Sequence, residues 1–436
     1  MARPFHLGWF LQGSSIQAWG EPWTGDIGRT WMNPVMFLDL ARSLERACFD
    51  YLLLEDSSYV GESFGGSTKV YLEKAIAVPR QDPSVVAALM TQVTSRLGIV
   101  ATFGTYAYPP YLLARLVGTL DQVSGGRIGW NAVTGSSDFA AMNFGMDGMP
   151  EHDLRYEMAD EYMAVVNGLW DSWEPGAIVA DVESGLAIDP DKVHAVNFKG
   201  RYFSTRGPLN SGPAPQGRPV IAQAGGSPRG RQFAAQHADT IVAIEQGPEG
   251  MKAYRDDVRR RMQACGRDPD SCKVLFLISP IFGETEEEAQ AKYQARLARA
   301  NADMVERMAH LSKITNIDFS KLDLDAPIGD LKTNGHQQSL DQLKKKAKGG
   351  TLRDALTAHN ASSYSVPLIG TPDGVAARMG EVMQEVGGDG FLFSLPHVSR
   401  RSIAEIEDGL VPALQRRGLS RRAYAHQQFR DNLLEF

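Results

Sequence analysis

Short runs of apolar residues alternate with longer helical patterns along the sequence, and this alternation constrains the fold more than any other feature. Nearly every run is unbroken, as expected for parallel strands that are covered on both faces. Repeated strand-then-helix units, eight in all, favour a closed barrel over an open, doubly wound sheet. The predicted fold is therefore α/β, a (β/α)8 TIM barrel with insertions. The eight strands are predicted at residues 5–11, 50–56, around Ile99, 127–133, 219–224, 240–244, 273–281 and 390–395.

Polar residues followed by proline mark where several helices begin. The polar side chain accepts an amide of the first helical turn, and proline fits the first helical position because no amide hydrogen is needed there. We also expect a helix from Pro110 that stops at Gly125-Gly126. The helix that starts at Asn33-Pro34 is expected to run through Cys48. The predicted starts are Asn33-Pro34, Asp82-Pro83, Ser227-Pro228 and Thr371-Pro372.

The whole chain, residues 1–436, is predicted to form a single barrel domain, because barrels of this kind grow by insertion. Two stretches depart from the alternation. Residues 173–206 have the pattern of an extended, hairpin-like insertion. Residues 284–364 are helical, charged and interrupted by glycine. A segment of that length outside the barrel is typical of a lid or a mobile excursion.

Charge and cysteine content exclude several classes of protein. The net charge is −7 and no basic stripe is present, so we expect no nucleic-acid partner. The short run 343–348 (LKKKAK) is typical of a solvated helix face. No apolar run is long enough for a membrane helix, and the N-terminus has no signal-peptide pattern. Three cysteines neither build a disulfide framework nor have zinc spacing, so a soluble protein of the reducing cytoplasm is expected.

Polar residues stand at or near the ends of the predicted strands. Barrel enzymes carry their chemistry at the C-terminal ends of the strands, so these side chains are candidates for the site. A polar residue also commonly ends a strand, which explains any one of them without function. Together they predict a polar pocket mouth without a metal-ligand cluster. They are Asp56, Thr102, Asn131, Thr134, Gln223, Glu245, Ser279 and Ser394.

The turn after the fifth predicted strand is the sharpest local signal. In PVIAQAGGSPRGRQFAA, Gly225 and Gly226 precede Ser227 and Pro228, which open a helix. Adjacent glycines allow a ligand to approach the backbone, and the free amides of a helix start favour a phosphate. The glycines do not alternate as in a dinucleotide-binding motif, and no such motif occurs elsewhere. An ordinary strand-to-helix connection with a good N-cap fits the same spacing.

A second cluster lies in EHDLRYEMADEY, residues 151–162. His152 and Tyr156 are four residues apart and share a helical face if a helix begins there. Both side chains can donate hydrogen bonds to an anion or to a ring carbonyl, although capping of an acidic helix start would explain them equally well. The string is not a zinc-protease motif, and no nucleophile elbow is present.

Tryptophan is concentrated in the first third of the chain. Such side chains line aromatic ligand pockets, but they more often pack in a core or under a lid. The residues concerned are Trp9, Trp19, Trp23, Trp31 and Trp130.

Several long strings, among them GGRIGWNAVT, EHDLRYEMADEY and QAGGSPRGR, resemble the bacterial luciferase-like flavin monooxygenases. The resemblance runs from Leu40 to Leu419 and is strongest to the branch that acts on nitrilotriacetate, dibenzothiophene sulfone and dimethyl sulfide. It implies a barrel with insertions, FMN as cofactor or cosubstrate, and a separate NAD(P)H:flavin oxidoreductase that supplies reduced FMN. Homodimers or homotetramers are usual in such a family.

The resemblance also implies a set of FMN contacts. Asp56 and Thr102 would lie near the isoalloxazine ring, with Asn131 beside it. Gly226 and Ser227 would hold the phosphate, in agreement with the interpretation of the turn given above. His152 and Tyr156 would complete the set, and His152 would be the proton donor in the oxygen step. No residue is expected to bind a metal.

The implied reaction uses reduced FMN and O2, through a C4a-peroxyflavin, to oxidise a small organic substrate such as an organosulfur compound, an amine, an aminopolycarboxylate or a similar xenobiotic. One alternative is a deazaflavin (F420)-dependent oxidoreductase on the same barrel, which transfers hydride without oxygen. The other alternative is a flavin-binding protein without turnover.

Two departures from the family pattern concern the substrate. Residues 19–22 are Trp-Gly-Glu-Pro, where many members have Trp-Arg-His-Pro. The chain ends in QQFRDNLLEF, where a Thr-Leu-Arg-Glu type of ending is usual. Both lie outside the expected phosphate site, so the substrate is not transferred from the resemblance.

Overall fold

A closed barrel of eight parallel strands forms the centre of the molecule. The computed structural model describes residues 3–12, 30, 33–361, 364–396 and 398–436. In spatial order the barrel strands are β1, β14, β11, β10, β9, β4, β3 and β2. The strands in these ranges are β1 His6–Leu11, β2 Tyr51–Leu54, β3 Gly98–Gly104, β4 Ile128–Val133, β5 Ile178–Asp181, β6 Leu186–Ile188, β7 Phe198–Lys199, β8 Ser204–Thr205, β9 Val220–Gln223, β10 Thr240–Ala243, β11 Lys273–Ile278, β12 Ile281–Phe282, β13 Ile369–Gly370 and β14 Gly390–Phe393.

Helices surround the barrel and form the longer of its two insertions. Those in the described ranges are α1 Val35–Arg46, α2 Lys69–Glu73, α3 Pro83–Thr91, α4 Pro110–Ser124, α5 Asp138–Met142, α6 His152–Trp170, α7 Pro228–His237, α8 Gly247–Ala264, α9 Glu286–Ala302, α10 Met304–Thr315, α11 Gln337–Ala347, α12 Leu352–Ala361, α13 Pro372–Val386, α14 Arg400–Ala404, α15 Val411–Arg416 and α16 Phe429–Leu433. A π-helical turn, Glu405–Leu410, joins α14 to α15.

The eight predicted strands are the eight strands of the barrel, so the predicted fold class is confirmed. The seventh prediction, residues 273–281, was too long. β11 ends at Ile278, and Ile281 belongs to the separate two-stranded sheet β12–β13. The reason is Pro280, which has no amide to donate and so interrupts the run of strand hydrogen bonds.

Three of the predicted helix starts are capped as expected. The side chains of Asp82, Ser227 and Thr371 accept amides of the first turns of α3, α7 and α13. The first helix differs at both ends. It begins at Val35 rather than at Pro34 and ends at Arg46, because Cys48 adopts a left-handed backbone with φ 57°.

Apolar side chains fill the barrel and the space between the barrel and its helices. Inside, residues such as Tyr51, Val100 and Leu275 pack with Phe429 of α16. A Cβ at Gly98 would come within 2.6 Å of the Phe429 ring, so α16 closes the N-terminal end of the barrel. Trp9 and Trp130 are buried core residues of the outer cluster. The other three tryptophans singled out above are Trp19, Trp23 and Trp31, which lie outside the described residues.

The insertions differ in character. Residues 173–206 contain the hairpins β5–β6 and β7–β8. Residues 284–364 contain α9 to α12, which enclose a small apolar cluster of their own around Leu311, Phe319 and Leu343.

Cys48, Cys265 and Cys272 are free thiols. Among the described helices, none combines the length and the apolar composition that a bilayer crossing requires.

A buried ionic cluster joins the chain ends at the N-terminal end of the barrel. Asp50 accepts from His6 Nδ1 at 2.8 Å, from the Leu7 amide at 2.9 Å and from Arg421 Nη2 at 2.6 Å. Burial raises the pKa of Asp50, but His6 and Arg421 outweigh it and hold the pKa below its ordinary value. Since the N-terminal end of such barrels serves stability, this cluster is structural.

We expect Asp50→Asn to lower the free energy of unfolding by about 3–5 kcal/mol, because it removes the fully buried one of the two carboxylates that pair with the Arg421 guanidinium. Denaturant unfolding followed by circular dichroism measures the effect. Glu435→Gln is the matched control, since Glu435 bonds the same arginine at 2.9 Å from a more exposed position and should cost about 1 kcal/mol or less. Equal losses in the two variants would contradict this assignment.

Candidate functional site

The turn between β9 and α7 has the backbone of an anion-binding site. Ser227 Oγ accepts from the Gly230 amide at 3.0 Å, which caps α7. Pro228 has no amide, and within the described residues the amides of Ser227 and Arg229 donate to no protein group. Free amides at the start of a ten-residue helix favour a bound anion.

Two side chains hold the carbonyl groups of this turn. Tyr254 of α8 donates to the Gly225 carbonyl at 2.8 Å, and Arg231 Nε donates to the Gly226 carbonyl at 3.1 Å. Arg231 also lies over the Tyr254 ring and pairs with Glu245 at 3.2 Å. Burial raises the pKa of Glu245 although Arg231 opposes the shift. The charge of Arg231 is thus balanced within the protein, and the turn is fixed before any ligand binds.

His152 and Tyr156 lie at the same turn. α6 begins at His152, and His152 Nε2 lies 3.3 Å from Ser227 Oγ. The His152 and Tyr156 rings meet edge to face at 5.2 Å. The buried Tyr156 hydroxyl interacts with Thr134, Gln223 and Ser227, while burial raises its pKa. The structure therefore brings together His152, Tyr156, Gly226 and Ser227.

The turn faces a cavity whose far wall comes from the longer insertion. The cavity has a volume of about 1050 Å³ and is lined by the Gly226–Ser227 turn, by His152 and by residues of α11 and the segment before it. A Cβ at Gly226 would stand 1.8 Å from Gln338 Oε1, so glycine lets the Gln338 side chain of α11 lie directly on the turn. Gln338 was missed by sequence reasoning, because an exposed-looking glutamine in a polar helix carries no signal.

Two buried acceptors without partners lie at the ends of neighbouring strands. Asn131 donates to Thr102 Oγ1 at 2.9 Å, and its Oδ1 has no hydrogen-bond partner among the described residues. Gln223 Oε1 is likewise buried and unpartnered in that part of the chain. Buried polar atoms of this kind are rare in native proteins and often await a ligand or water. Asn131 and Thr102 thus form one pair, and Asn131 lies on β4, the strand next to β9.

Asp56 lies elsewhere on the rim, beyond the end of β2 and three strands from β9. Burial raises the pKa of Asp56 to about 6, although Arg80 acts against the shift. Arg80 forms an ion pair with Glu55, in which Arg80 Nη1 lies 2.5 Å from Glu55 Oε2. No contact between Asp56 and the residues of the β9–α7 turn occurs in the described part of the chain.

We expect Asp56→Asn to stabilise the fold at neutral pH. The raised pKa means that the folded chain holds this proton more tightly than the unfolded chain, so the ionised carboxylate costs stability. That cost is absent below about pH 4 and is complete above about pH 6. Above pH 6 the substitution should therefore raise the free energy of unfolding by about 2–3 kcal/mol. Unfolding curves at both pH values measure it. The exposed Asp147→Asn is the control, and a gain equal at both pH values would disprove the explanation.

Metal-ligating side chains do not cluster in the described ranges of the chain. No group of three His, Cys, Asp or Glu side chains in those ranges is placed to hold an ion.

Comparison with known proteins shows the family to which this barrel is related. A family model described as luciferase-like monooxygenase matches residues 13–390. The chain belongs to the luciferase-like monooxygenase family. It is 37% identical to dimethyl-sulfide monooxygenase of Hyphomicrobium sulfonivorans, over 91% of this chain and 82% of that protein. It is 32% identical to nitrilotriacetate monooxygenase component A of Aminobacter aminovorans, over 99% and 96%.

A solved structure has the same fold as this chain over nearly its whole length. Riboflavin lyase, solved with modified FMN and riboflavin, superposes with a TM-score of 0.89 at 31% identity, covering 100% of this chain and 96% of that chain. Similarity of this extent to several monooxygenases makes this family member a monooxygenase on a luciferase-like barrel, as the sequence strings had indicated.

Proposed function

We propose that this luciferase-like monooxygenase is the oxygenase of a two-component system. It would bind reduced FMN, made by a separate NAD(P)H:flavin oxidoreductase, and use O2 to oxidise a small organic substrate. The observation that carries the proposal is the β9–α7 turn, with its free amides and its glycine against α11. The naming of one relative as a component A supports the separate reductase.

The residues present fit FMN. The amides of Ser227 and Arg229, with His152 beside them, suit the phosphate. The unpartnered Asn131 Oδ1 and Gln223 Oε1 are acceptors that N–H groups of a flavin ring would satisfy. A cavity of about 1050 Å³ is large enough for a ligand of that class.

Each side chain then has a definite task. Ser227 fixes the helix start, Thr102 orients the Asn131 amide, and Tyr156 fills the space between α6 and α7. Asp56 would contact the ring from the other side of the rim. Bound reduced FMN would supply the two electrons that activate O2, so that one oxygen atom enters the substrate and the other leaves as water.

Exclusion of water is the protein's second task, because activated oxygen otherwise escapes as hydrogen peroxide. Residues 284–364 are our proposed lid. Their segment 333–336 is anchored to the start of α6, where Arg155 donates to the Asn334 carbonyl at 3.0 Å. His152 stands at the phosphate end of the site, and its role as proton donor in the oxygen step stays a prediction.

The test mixes the protein with reduced FMN, isotopically heavy O2 and a panel of sulfur and nitrogen compounds. We expect one substrate to take up the label while hydrogen peroxide release falls by the same amount. Hydride transfer without oxygen uptake would instead identify the deazaflavin-type oxidoreductase. FMN binding with all oxygen released as peroxide, whatever the substrate, would identify the binding protein without turnover.

Ser227→Asp probes the phosphate site directly. Aspartate is as good an N-cap as serine, so the helix start is kept, but its charge opposes a phosphate. We expect FMN binding to weaken at least about 100-fold, since like charges in contact cost several kcal/mol. Ser227→Asn is the neutral control of the same size. FMN affinity is measured by fluorescence titration. Equal affinity in the two variants would contradict the assignment of the FMN phosphate to this turn.

We propose further that the chain works as a homodimer or homotetramer. The β5–β6 hairpin presents Ile178, Val182, Leu186 and Ile188 to solvent, with Val182 93% exposed. An isolated hairpin is marginally stable, and apolar patches of this kind mark association surfaces. Sedimentation should show an oligomer that Ile178→Glu with Ile188→Glu dissociates, while Val123→Glu on α4 leaves it intact. A monomeric wild type would refute the proposal.

A further inference from the structure

Two glutamine side chains lie against the two glycines of the β9–α7 turn. A Cβ at Gly225 would stand 2.6 Å from both Nε2 and Oε1 of Gln223, which ends β9. A Cβ at Gly226 would stand 1.8 Å from Oε1 of Gln338, which belongs to α11 of the longer insertion. The glycine pair therefore lets one primary amide from the barrel and one from the insertion reach the turn.

Gln338 uses only part of its hydrogen-bonding capacity within the protein. Its Nε2 donates to the Ile244 carbonyl, just past β10, at 3.0 Å. A primary amide carries two N–H donors and one acceptor oxygen. In the described part of the chain, neither the second N–H nor Oε1 of Gln338 has a hydrogen-bond partner. A free donor of the insertion thus lies beside the turn.

Gln342 shares the anchor of Gln338 but not its position. It lies one helical turn further along α11, and its Nε2 donates to the same Ile244 carbonyl at 3.3 Å. The three atoms nearest to a Cβ at Gly226 all belong to Gln338. Anchoring α11 to the end of β10 therefore does not require the contact with the glycine turn, and Gln342 provides a comparison for it.

Gln338 and the start of α7 border one cavity. The lining of this cavity includes residues 226–229, His152 and Gln338. His152 Nε2 lies 3.3 Å from Ser227 Oγ, and the Gln338 amide lies on Gly226, the residue before Ser227. A phosphate at the first amides of α7 would therefore lie beside the Gln338 amide.

The charges around this cavity balance one another. Among the described residues of its lining, five are Asp or Glu and five are Arg or Lys. Some of these are paired, because Arg231 lies 3.2 Å from Glu245 and Lys344 lies 3.5 Å from Asp330. A phosphate is therefore not attracted by an excess of positive charge in the lining, and its binding depends on N–H dipoles held at fixed positions.

Resting on the proposed function, we infer that Gln338 is a further cofactor-binding residue. The free N–H of its Nε2 donates to the FMN phosphate that the amides of Ser227 and Arg229 hold. A hydrogen bond to a charged acceptor is about twice as strong as one between neutral groups. Because Gln338 belongs to the longer insertion, this bond joins the cofactor to the proposed lid. Riboflavin, which has the same ring and no phosphate, cannot form it.

Binding of oxidised FMN to variants of the full-length protein tests this contact by fluorescence titration. Gln338→Met keeps the length of the side chain but has no N–H, and we expect it to bind FMN about 10- to 100-fold more weakly, the usual range for a hydrogen bond to a charged group. Gln338→Glu should weaken FMN binding further, because its charge repels the phosphate. Equal FMN affinity in the wild-type protein and Gln338→Met would overturn the inference.

Gln342→Met and Gln342→Glu are the matched controls. They remove the same kind of bond to the Ile244 carbonyl and place the same charge one helical turn, about 5.4 Å, further along α11. We expect FMN affinity to fall much less in these variants than in their Gln338 counterparts. Equal losses at the two positions would identify loosening of α11 as the cause and would contradict a phosphate contact.

Riboflavin separates a phosphate contact from a structural role. Gln338→Met should bind riboflavin as the wild-type protein does, whereas a riboflavin loss equal to the FMN loss would make Gln338 a structural residue and refute the inference. Hydrogen exchange gives a second readout, measured at equal flavin occupancy. FMN should protect the α11 amides more than riboflavin does, and Gln338→Met should remove the difference. Equal protection of wild-type α11 by the two flavins would contradict the link between phosphate and lid.

The proposed function and this inference fail in distinguishable ways. A wild-type protein that binds no FMN would end the proposed function, and the inference with it. If FMN binds and Ser227→Asp weakens it while Gln338→Met does not, the phosphate turn stands and the role of Gln338 is refuted.

Discussion

The pairing of β1 with β14 is the contact on which the whole architecture depends. It joins strands separated by most of the chain, with His6 opposite Gly390, and it converts a sheet with two open edges into a ring. A Cβ at Gly390 would stand 2.2 Å from the His6 carbonyl oxygen, so only glycine permits this approach. Closure in turn forces the C-terminal ends of all eight strands onto one rim, where residues remote in sequence become neighbours.

The two ends of the barrel divide stability and chemistry between them. At the N-terminal end, Asp50 and Arg421 compensate each other, and Phe429 fills the opening with apolar surface. At the other end, Asn131 Oδ1 and Gln223 Oε1 are buried acceptors without a partner among the described residues. Such groups lower the stability of the protein alone, and the net stability of a domain is small. These two acceptors are therefore consistent with the ligand site that we propose at the rim.

The sequence predicted the parts of the molecule that depend on local order. Unbroken apolar runs gave the eight strands, and the string GGSPRG gave the turn whose neighbours proved to include His152 and Tyr156. It could not predict contacts made by the longer insertion. His310 of α10 lies near the charge of Arg80, and Gln338 lies against Gly226, each pair being more than a hundred residues apart in sequence. The Trp-Gly-Glu-Pro string at 19–22 lies outside the described residues, so its part in the substrate site stays a prediction.

Closure by the last barrel strand has a consequence for biosynthesis. β14 begins at Gly390, so during translation β1 and β11 expose unpaired edges until that point has left the ribosome. At ordinary elongation rates of about 5–20 residues per second, the wait lasts roughly 20–80 s for β1 and roughly 6–22 s for β11. Unpaired parallel edges are templates for aggregation. Production of this enzyme should therefore depend on chaperones that shield nascent sheet edges, and slower synthesis alone will not relieve that dependence.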